Sequence, residues 1–138
     1  MDGERNLAVL ISTMEPRLVA GKWVFRTSET GFNTDALETA LLMFREPEGV
    51  TIISSATPAD DDLPVWAMIT LSIHSSLEAV GFLAAITTSL AAKNIPVNAV
   101  SAYYHDHIFV PYTRRDDALE CLRCMMRETD SGCLYSER

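Results

Sequence analysis

Alternating and helically spaced apolar residues divide the second half of the chain into short strands and helices. From Met68 to Ile73 every second residue is aliphatic, which predicts a β-strand with one buried face. Ser75 and Glu78 then have the spacing of a capping box, so a helix is expected to begin at Ser76. A following proline ends this helix, and renewed alternation over residues 97–103 predicts a second strand.

The helix predicted after Ser75 carries more apolar surface than one sheet can cover. Its first apolar stripe consists of Leu77, Val80, Ala84, Thr87 and Ala91. A second stripe consists of Phe82, Leu83, Ile86 and Leu90. Because the second stripe needs a further partner, we expect the chain to form at least a homodimer.

The remainder of the second half predicts a hairpin and another helix. Tyr104 to Asp106 are expected to form the turn, after which Ile108 begins a returning strand. Thr113 starts a helix whose apolar residues recur at helical spacing as far as Met126. Residues 133–135 could add a short final strand. The resulting β-α-β-β-α-β order is the ferredoxin-like plan, whose crossover is right-handed.

The first half of the chain has the same kinds of element with weaker patterns. Residues 7–14 predict a short amphipathic helix that ends before Pro16, and residues 17–27 predict a strand. A loop is expected at residues 33–35. Glu46 to Gly49 contain a proline and a glycine that suit a tight hairpin turn. The strands that flank this turn are predicted at residues 40–45 and 50–54.

Three segments of the sequence carry a resemblance to a known family. They are His74-Ser-Ser-Leu-Glu-Ala-Val-Gly81, Tyr103-Tyr-His-Asp-His-Ile-Phe-Val-Pro111 and Glu46-Pro-Glu-Gly-Val-Thr51. Together they resemble the signature segments of a bacterial-type group of small ACT-domain proteins, similar in architecture to the ACT pairs of CASTOR-type amino-acid sensors. The resemblance implies an α+β protein with two ferredoxin-like (βαββαβ) ACT-like units, with antiparallel sheets and helices on one face. Residues 1–64 would form a degenerate unit and residues 65–138 an ACT domain.

The same resemblance implies a regulatory or sensor protein that binds a small molecule, expected to be an amino acid, between its two units. The ligand carboxylate would meet the amides of Ser76 and Leu77, since a helix N-terminus favours anions. The ammonium would meet Asp106 or Glu78, and Gly81 would allow close approach of the ligand. The full expected ligand-binding set is His74, Ser75, Ser76, Leu77, Glu78, Val80, Gly81, Asn98 and Asp106.

Charge and hydropathy narrow the choice of partners and location. The formal net charge of −8 disfavours nucleic-acid binding, which needs clustered lysine and arginine. Much of the acidity lies before residue 65, where Asp60 to Asp62 are expected to form a solvated linker. No apolar run approaches the ~20 residues that span a bilayer, and Met1 to Glu4 lack the basic start of a signal peptide. A cytoplasmic protein without a membrane partner is therefore expected.

Several residues have spacings that suggest chemistry. His105 and His107 would share a face on a straight strand and could bind a metal, but a turn at this position would separate them. Cys121 and Cys124 have redox-motif spacing inside a predicted helix, where buried, reduced thiols that bind nothing are expected. Ser75 lies beside a histidine but in no nucleophile elbow. We therefore expect no catalytic residue, cofactor or metal.

Three classes of function stay open on the sequence alone. The first is an amino-acid-binding sensor or regulator, and the second is a ligand-free structural oligomerisation module. The third is an enzyme that uses His105 and His107, which stoichiometric zinc or iron in the protein would support.

Overall fold

The computed structural model describes residues 3–130, which fold into one sheet with helices packed on it. The helices are α1 (Leu7–Thr13), α2 (Thr34–Thr39), α3 (Phe82–Ala91) and α4 (Arg115–Asp130). The strands are β1 (Pro16–Leu18), β2 (Trp23–Ser28), β3 (Leu42–Glu46), β4 (Gly49–Ser55), β5 (Trp66–Leu71), β6 (Asn98–Ser101) and β7 (Asp106–Pro111). None of the helices within residues 3–130 is long and apolar enough to cross a membrane.

A single antiparallel sheet runs through both halves of the chain. Its order is β3-β4-β2-β5-β7-β6, and the short strand β1 pairs with β5. The succession β5-α3-β6-β7-α4 follows the ferredoxin-like plan, so the predicted α+β class is confirmed. The final strand expected at residues 133–135 lies outside the described residues. Strand β1 pairs with one edge of β5, with Pro16 opposite Leu71, and β7 pairs with the other edge.

Both faces of the central strand β5 are buried, which corrects the expectation of one buried face. Ile69 and Leu71 face the helices, whereas Met68 packs on the opposite side. The helix-side core also contains Leu10, Ile86, Ile108 and Leu122. The core on the other side also contains Ile53 and Phe109. The second face is buried because the sheet curls, bringing residues of β4 and β7 together across it.

Helix α3 begins at Phe82 and not at Ser76 as the capping box predicted. The hydroxyl of Ser75 donates to the carboxylate of Asp106 instead of capping the helix. The carboxylate of Glu78 forms an ion pair with Arg5, 2.5 Å away. Gly81 is the residue before the helix, at φ 89°, a conformation that favours glycine. Residues 75–81 therefore form a loop, and Gly81 is not a mid-helix glycine.

The second apolar stripe of the predicted helix is buried within the chain, and the first two residues of the first stripe are exposed. Phe82, Ile86 and Leu90 are buried in the core of this chain, together with residues of α1 and α4. Leu77 and Val80 lie before the helix and are 67% and 83% exposed. The second stripe is thus covered within one chain, and it no longer provides an argument for a homodimer.

The first half contains the predicted helix, strands and hairpin, with two local differences. The expected strand over residues 17–27 is divided into β1 and β2. Of the loop expected at residues 33–35, Asn33 caps α2 and the next two residues begin the helix. Asp60 is buried and paired with Arg26, which corrects the expectation of a fully solvated linker. The Arg26 guanidinium, helped by the amide of Thr57, lowers the pKa of Asp60 to about 2.

Candidate ligand site at the start of helix α3

The loop between β5 and α3 is held in place by the N-terminal segment. The amide of Glu4 donates to the carbonyl of His74 (2.9 Å), and the amide of Ser76 donates to the carbonyl of Glu4 (2.8 Å). A Cβ on Gly3 would lie only 2.5 Å from the carbonyl carbon of Ser75. The close approach of the two backbones therefore requires glycine at position 3.

A buried carboxylate faces this loop from the first residue of β7. Asp106 is 7% exposed and lies directly opposite Ser101 in the sheet. Its Oδ1 accepts from the hydroxyl of Ser101 (2.6 Å) and its Oδ2 from the hydroxyl of Ser75 (3.0 Å). Within residues 3–130, Asp106 has no ion pair with a basic side chain. Two hydroxyl donors leave part of its acceptor capacity free.

A cavity of about 160 Å³ lies between this carboxylate and the first turn of α3. Its walls include Ser75, Ser101 and Asp106 on one side and residues 81–84 on the other. The backbone amides of residues 82–84 have no acceptor within the helix, because the first bond of α3 runs from Ala85 to Gly81. The cavity thus joins a buried negative charge to the positive end of a ten-residue helix.

The structure brings together only part of the expected ligand-binding set. Ser75, Ser76, Leu77, Gly81 and Asp106 line the cavity beside α3. His74 and Glu78, again with Ser76 and Leu77, line a neighbouring cavity of about 270 Å³ that Gly3, Arg5 and Tyr103 complete. Val80 lines neither cavity. Asn98 pairs with Phe109, so its side chain is on the opposite face of the sheet from Asp106.

Two roles assigned from the sequence need correction. Asp106 is not in a turn, because it begins β7 and the hairpin turn lies before it, closed by the Ala102 amide and the His105 carbonyl. The amide of Ser76 already donates to Glu4 and is not free for a carboxylate. The amide of Leu77 has no hydrogen-bond partner among residues 3–130 and stays a candidate. The amides of the first turn of α3 are also free, since the helix starts six residues later than predicted.

Ser101, Gly3 and the amides of residues 82–84 are site features that the sequence analysis missed. Ser101 could have been found, because a short hairpin between β6 and β7 places it opposite Asp106. Gly3 could not have been found, since the backbone that it contacts, at residues 74–76, lies more than 70 residues away in the sequence. No local pattern connects the two segments.

The residues considered for metal and redox chemistry lie away from this cavity. Nδ1 of His107 is 2.9 Å from the hydroxyl of Thr70. Among the described residues, no group of three His, Cys, Asp or Glu side chains is arranged to hold a metal. Cys121 and Cys124 lie on α4 as predicted, but they are partly exposed rather than buried, and they are not disulfide-bonded. Burial still raises the pKa of the Cys121 thiol.

Both halves of the chain match family models of the ACT domain, one over residues 2–63 and the other over residues 66–124. No curated protein matches the sequence. A crystal structure from Vibrio cholerae, described as a protein of unknown function and possible transport protein, is 42% identical with a TM-score of 0.73. That alignment covers 85% of this chain and 92% of the other.

More distant structures share the fold alone. An Agrobacterium tumefaciens protein is 14% identical with a TM-score of 0.65, over 80% of this chain and 87% of its own. The aspartate kinase of Clostridium acetobutylicum is 12% identical with a TM-score of 0.58, over 82% of this chain and 34% of the kinase. The two family matches span most of the sequence, so this chain belongs to the ACT-domain family.

Proposed function

We propose that this protein is a regulatory ACT-domain protein that binds a free amino acid in the cavity at the start of α3. Both family matches are to ACT domains, which favours a regulator over an enzyme. The observation that carries the proposal is the buried carboxylate of Asp106 on the wall of a cavity that also contains the open end of a helix.

The ligand ammonium is the group that Asp106 lacks. A buried charge is normally paired, because removing it from water costs on the order of several kcal/mol. Ser75 and Ser101 each donate one neutral hydrogen bond, and the nearby Arg5 is engaged by Glu78. An ammonium in the cavity would supply the missing positive charge.

The ligand carboxylate suits the opposite wall of the same cavity. The amides of residues 82–84 lie at the positive end of α3 and have no intrahelical acceptor. Gly81 adds no side chain there. An α-amino acid carries its carboxylate and its ammonium on one carbon, so one ligand could satisfy both walls.

The expected affinity is micromolar to millimolar. Two charge-assisted amide bonds to a carboxylate contribute about 3 to 6 kcal/mol before ordering costs. Such affinities require about 4 to 8 kcal/mol net. The carboxylate contacts are therefore insufficient alone, and the Asp106 contact with some burial of the ligand side chain must contribute the remainder.

A thermal-shift screen against the common amino acids, followed by titration calorimetry of each hit, tests the proposal. At least one amino acid should raise the melting temperature and bind saturably. Its N-acetyl derivative, which lacks the ammonium, and its amide derivative, which lacks the carboxylate, should both bind at least tenfold more weakly. Absence of a shift and of binding heat with every amino acid would contradict the proposal.

A ligand-free oligomerisation module is the second candidate, and the exposed edge strand β3 favours it. Phe44 is 63% exposed, and Leu41 and Met43 beside it are 46% and 41% exposed. An apolar edge strand with unpaired backbone groups can pair with a second copy of the chain.

Light scattering of the wild type and of Phe44→Lys tests this second candidate. A dimer that becomes monomeric in Phe44→Lys would support it. Val80→Lys is the control, since Val80 is even more exposed than Phe44 but lies on no strand. A monomeric wild type at micromolar concentration would exclude pairing through β3 under these conditions.

A further inference from the structure

A different cavity, of about 150 Å³, lies inside the curl of the sheet, on the face that the helices do not cover. Both ends of the sheet contribute to its wall, because Leu42 and Ile53 come from β3 and β4 while Val100 and Phe109 come from β6 and β7. The sheet order separates these two strand pairs by β2 and β5. The curl therefore creates a pocket to which both ACT units contribute and that neither unit has by itself.

The wall of this cavity is apolar except for one histidine. Its side chains are aliphatic, thioether or aromatic apart from His107, and none carries a permanent charge. A cavity of about 150 Å³ with such a wall has room for a molecule of the size of benzene. A zwitterionic amino acid would find no charged partner here.

The cavity has a buried end and an exposed end. Ile53, Met68 and Phe109 are at most 5% exposed and form its floor. Leu41 is 46% exposed and Ala102 is also exposed, so the mouth lies between these two residues. A small molecule can enter there without opening the core.

His107 provides a directed polar contact in an otherwise apolar wall. Its Nδ1 is engaged by the hydroxyl of Thr70 at 2.9 Å, and Nε2 has no hydrogen-bond partner among residues 3–130. Burial, followed by the nearby His105, lowers the pKa of His107, which favours the neutral ring. A neutral imidazole has one donor and one acceptor nitrogen.

We infer that this cavity is a binding site for a small uncharged aromatic molecule of the phenol class. The ring would occupy the floor formed by Met68 and Phe109, and the hydroxyl would bind Nε2 of His107. This site is independent of the proposed amino-acid site, because His107 and Asp106 are consecutive strand residues whose side chains are on opposite faces of the sheet.

Binding can be measured on the wild-type protein with phenol, benzene and benzoate as probes. Titration calorimetry should give saturable binding of phenol, binding of benzene at least threefold weaker, and none of benzoate. Trp66 packs against the floor of the cavity, so its fluorescence should change with phenol occupancy. Absence of saturable phenol binding would overturn the inference, and equal affinity for phenol and benzene would overturn the role of His107.

Two matched substitutions on β6 and its turn locate the bound phenol. Ala102→Phe places a ring at the mouth and should weaken phenol binding at least tenfold. Ala99→Phe is the control, because Ala99 is also exposed but its side chain is on the other face of the sheet. Both variants alter exposed positions, and their melting temperatures verify folding. Unchanged phenol affinity in Ala102→Phe would place phenol elsewhere and overturn the inference.

Discussion

Helices α2 and α3 occupy the same place in the two ACT units, yet their N-termini differ. Helix α2 follows β2 and helix α3 follows β5, and in each unit the next two strands pair in the same order, as β2-β4-β3 and β5-β7-β6. Helix α2 has six residues, and the side chain of Asn33 accepts a hydrogen bond from the amide of Ala36 (2.8 Å). Helix α3 has ten residues, and Gly81 provides no side-chain cap.

The hairpins that follow the two helices also differ in the residues next to the turn. Ser101 and Asp106 face each other across the second hairpin, whereas Glu46 and Gly49 occupy the corresponding positions in the first. Gly49 has no side chain to place in a cavity, and Glu46 is exposed and bonded to Thr51. One unit thus closes its helix start with its own side chain, while the other leaves amides and a buried carboxylate open. We expect only the second unit to bind an amino acid.

Removing the charge of Asp106 should have the largest effect on amino-acid affinity. Asp106→Asn keeps the size of the side chain and one acceptor oxygen, and the serine hydroxyl that meets the new NH2 group can turn to accept from it. The variant removes the negative charge that pairs with the ammonium, so amino-acid affinity should fall at least thirtyfold, about 2 kcal/mol or more. Asp35→Asn, in the first turn of α2, is the matched control and should leave affinity unchanged. Titration calorimetry on both variants measures these affinities, and equal losses of affinity would contradict a site in the second unit alone.

Adding a methyl group at Gly3 should have the next largest effect. Ala at position 3 would press on the backbone of residues 74–76 and break two backbone hydrogen bonds, costing about 2 kcal/mol of stability. Urea denaturation measures this loss, and affinity should fall as the loop shifts. Gly21→Ala is the control for backbone strain alone, because a methyl group there has no neighbour within 4 Å but φ is 108°. It should cost about 1 kcal/mol of stability and leave amino-acid affinity unchanged. Unchanged stability in Gly3→Ala would mean that the N-terminal segment does not hold the loop.

A glycine with positive φ precedes each of α2 and α3, and the two can be substituted in the same way. Gly31 and Gly81 have φ of 93° and 89°, so Ala at either position should cost about 1 kcal/mol of stability. Only Gly81→Ala should also weaken amino-acid binding, because relief of the strain would move the amides of α3. Melting temperature and calorimetry together separate the two effects. Weaker binding in Gly31→Ala would contradict the assignment of the site to the second unit.

Asp60 offers the smallest but most specific effect, because it is a buried carboxylate whose cation is supplied by the chain. Arg26 lowers the pKa of Asp60 to about 2, below its usual value of 3.8. The stabilisation is thus complete above about pH 4 and is lost as the pH falls towards 2. Asp60→Asn should remove this acid-sensitive part of the unfolding free energy without changing amino-acid affinity. An identical pH profile in the variant would show that the pair does not contribute.

The sequence predicted the elements better than the contacts between them. Helix α4 and the hairpin of β3 and β4 follow from periodicity and turn residues, which are local. The predicted start of α3 was wrong because two residues with capping-box spacing have other partners. Ser75 is bonded to Asp106 and Glu78 to Arg5, and both partners are distant in sequence. The burial of Phe82, Ile86 and Leu90 depends on α1, which no local pattern reveals.

A free amino acid is expected to bind at the open N-terminus of α3 and not at the capped N-terminus of α2. An amide chemical-shift titration of the isotope-labelled wild type with the amino acid identified by thermal shift tests it most directly. Saturable shifts are expected at residues 82–84 and at Asp106, with none at residues 34–36. Shifts confined to α2, or no shifts with any amino acid, would contradict it.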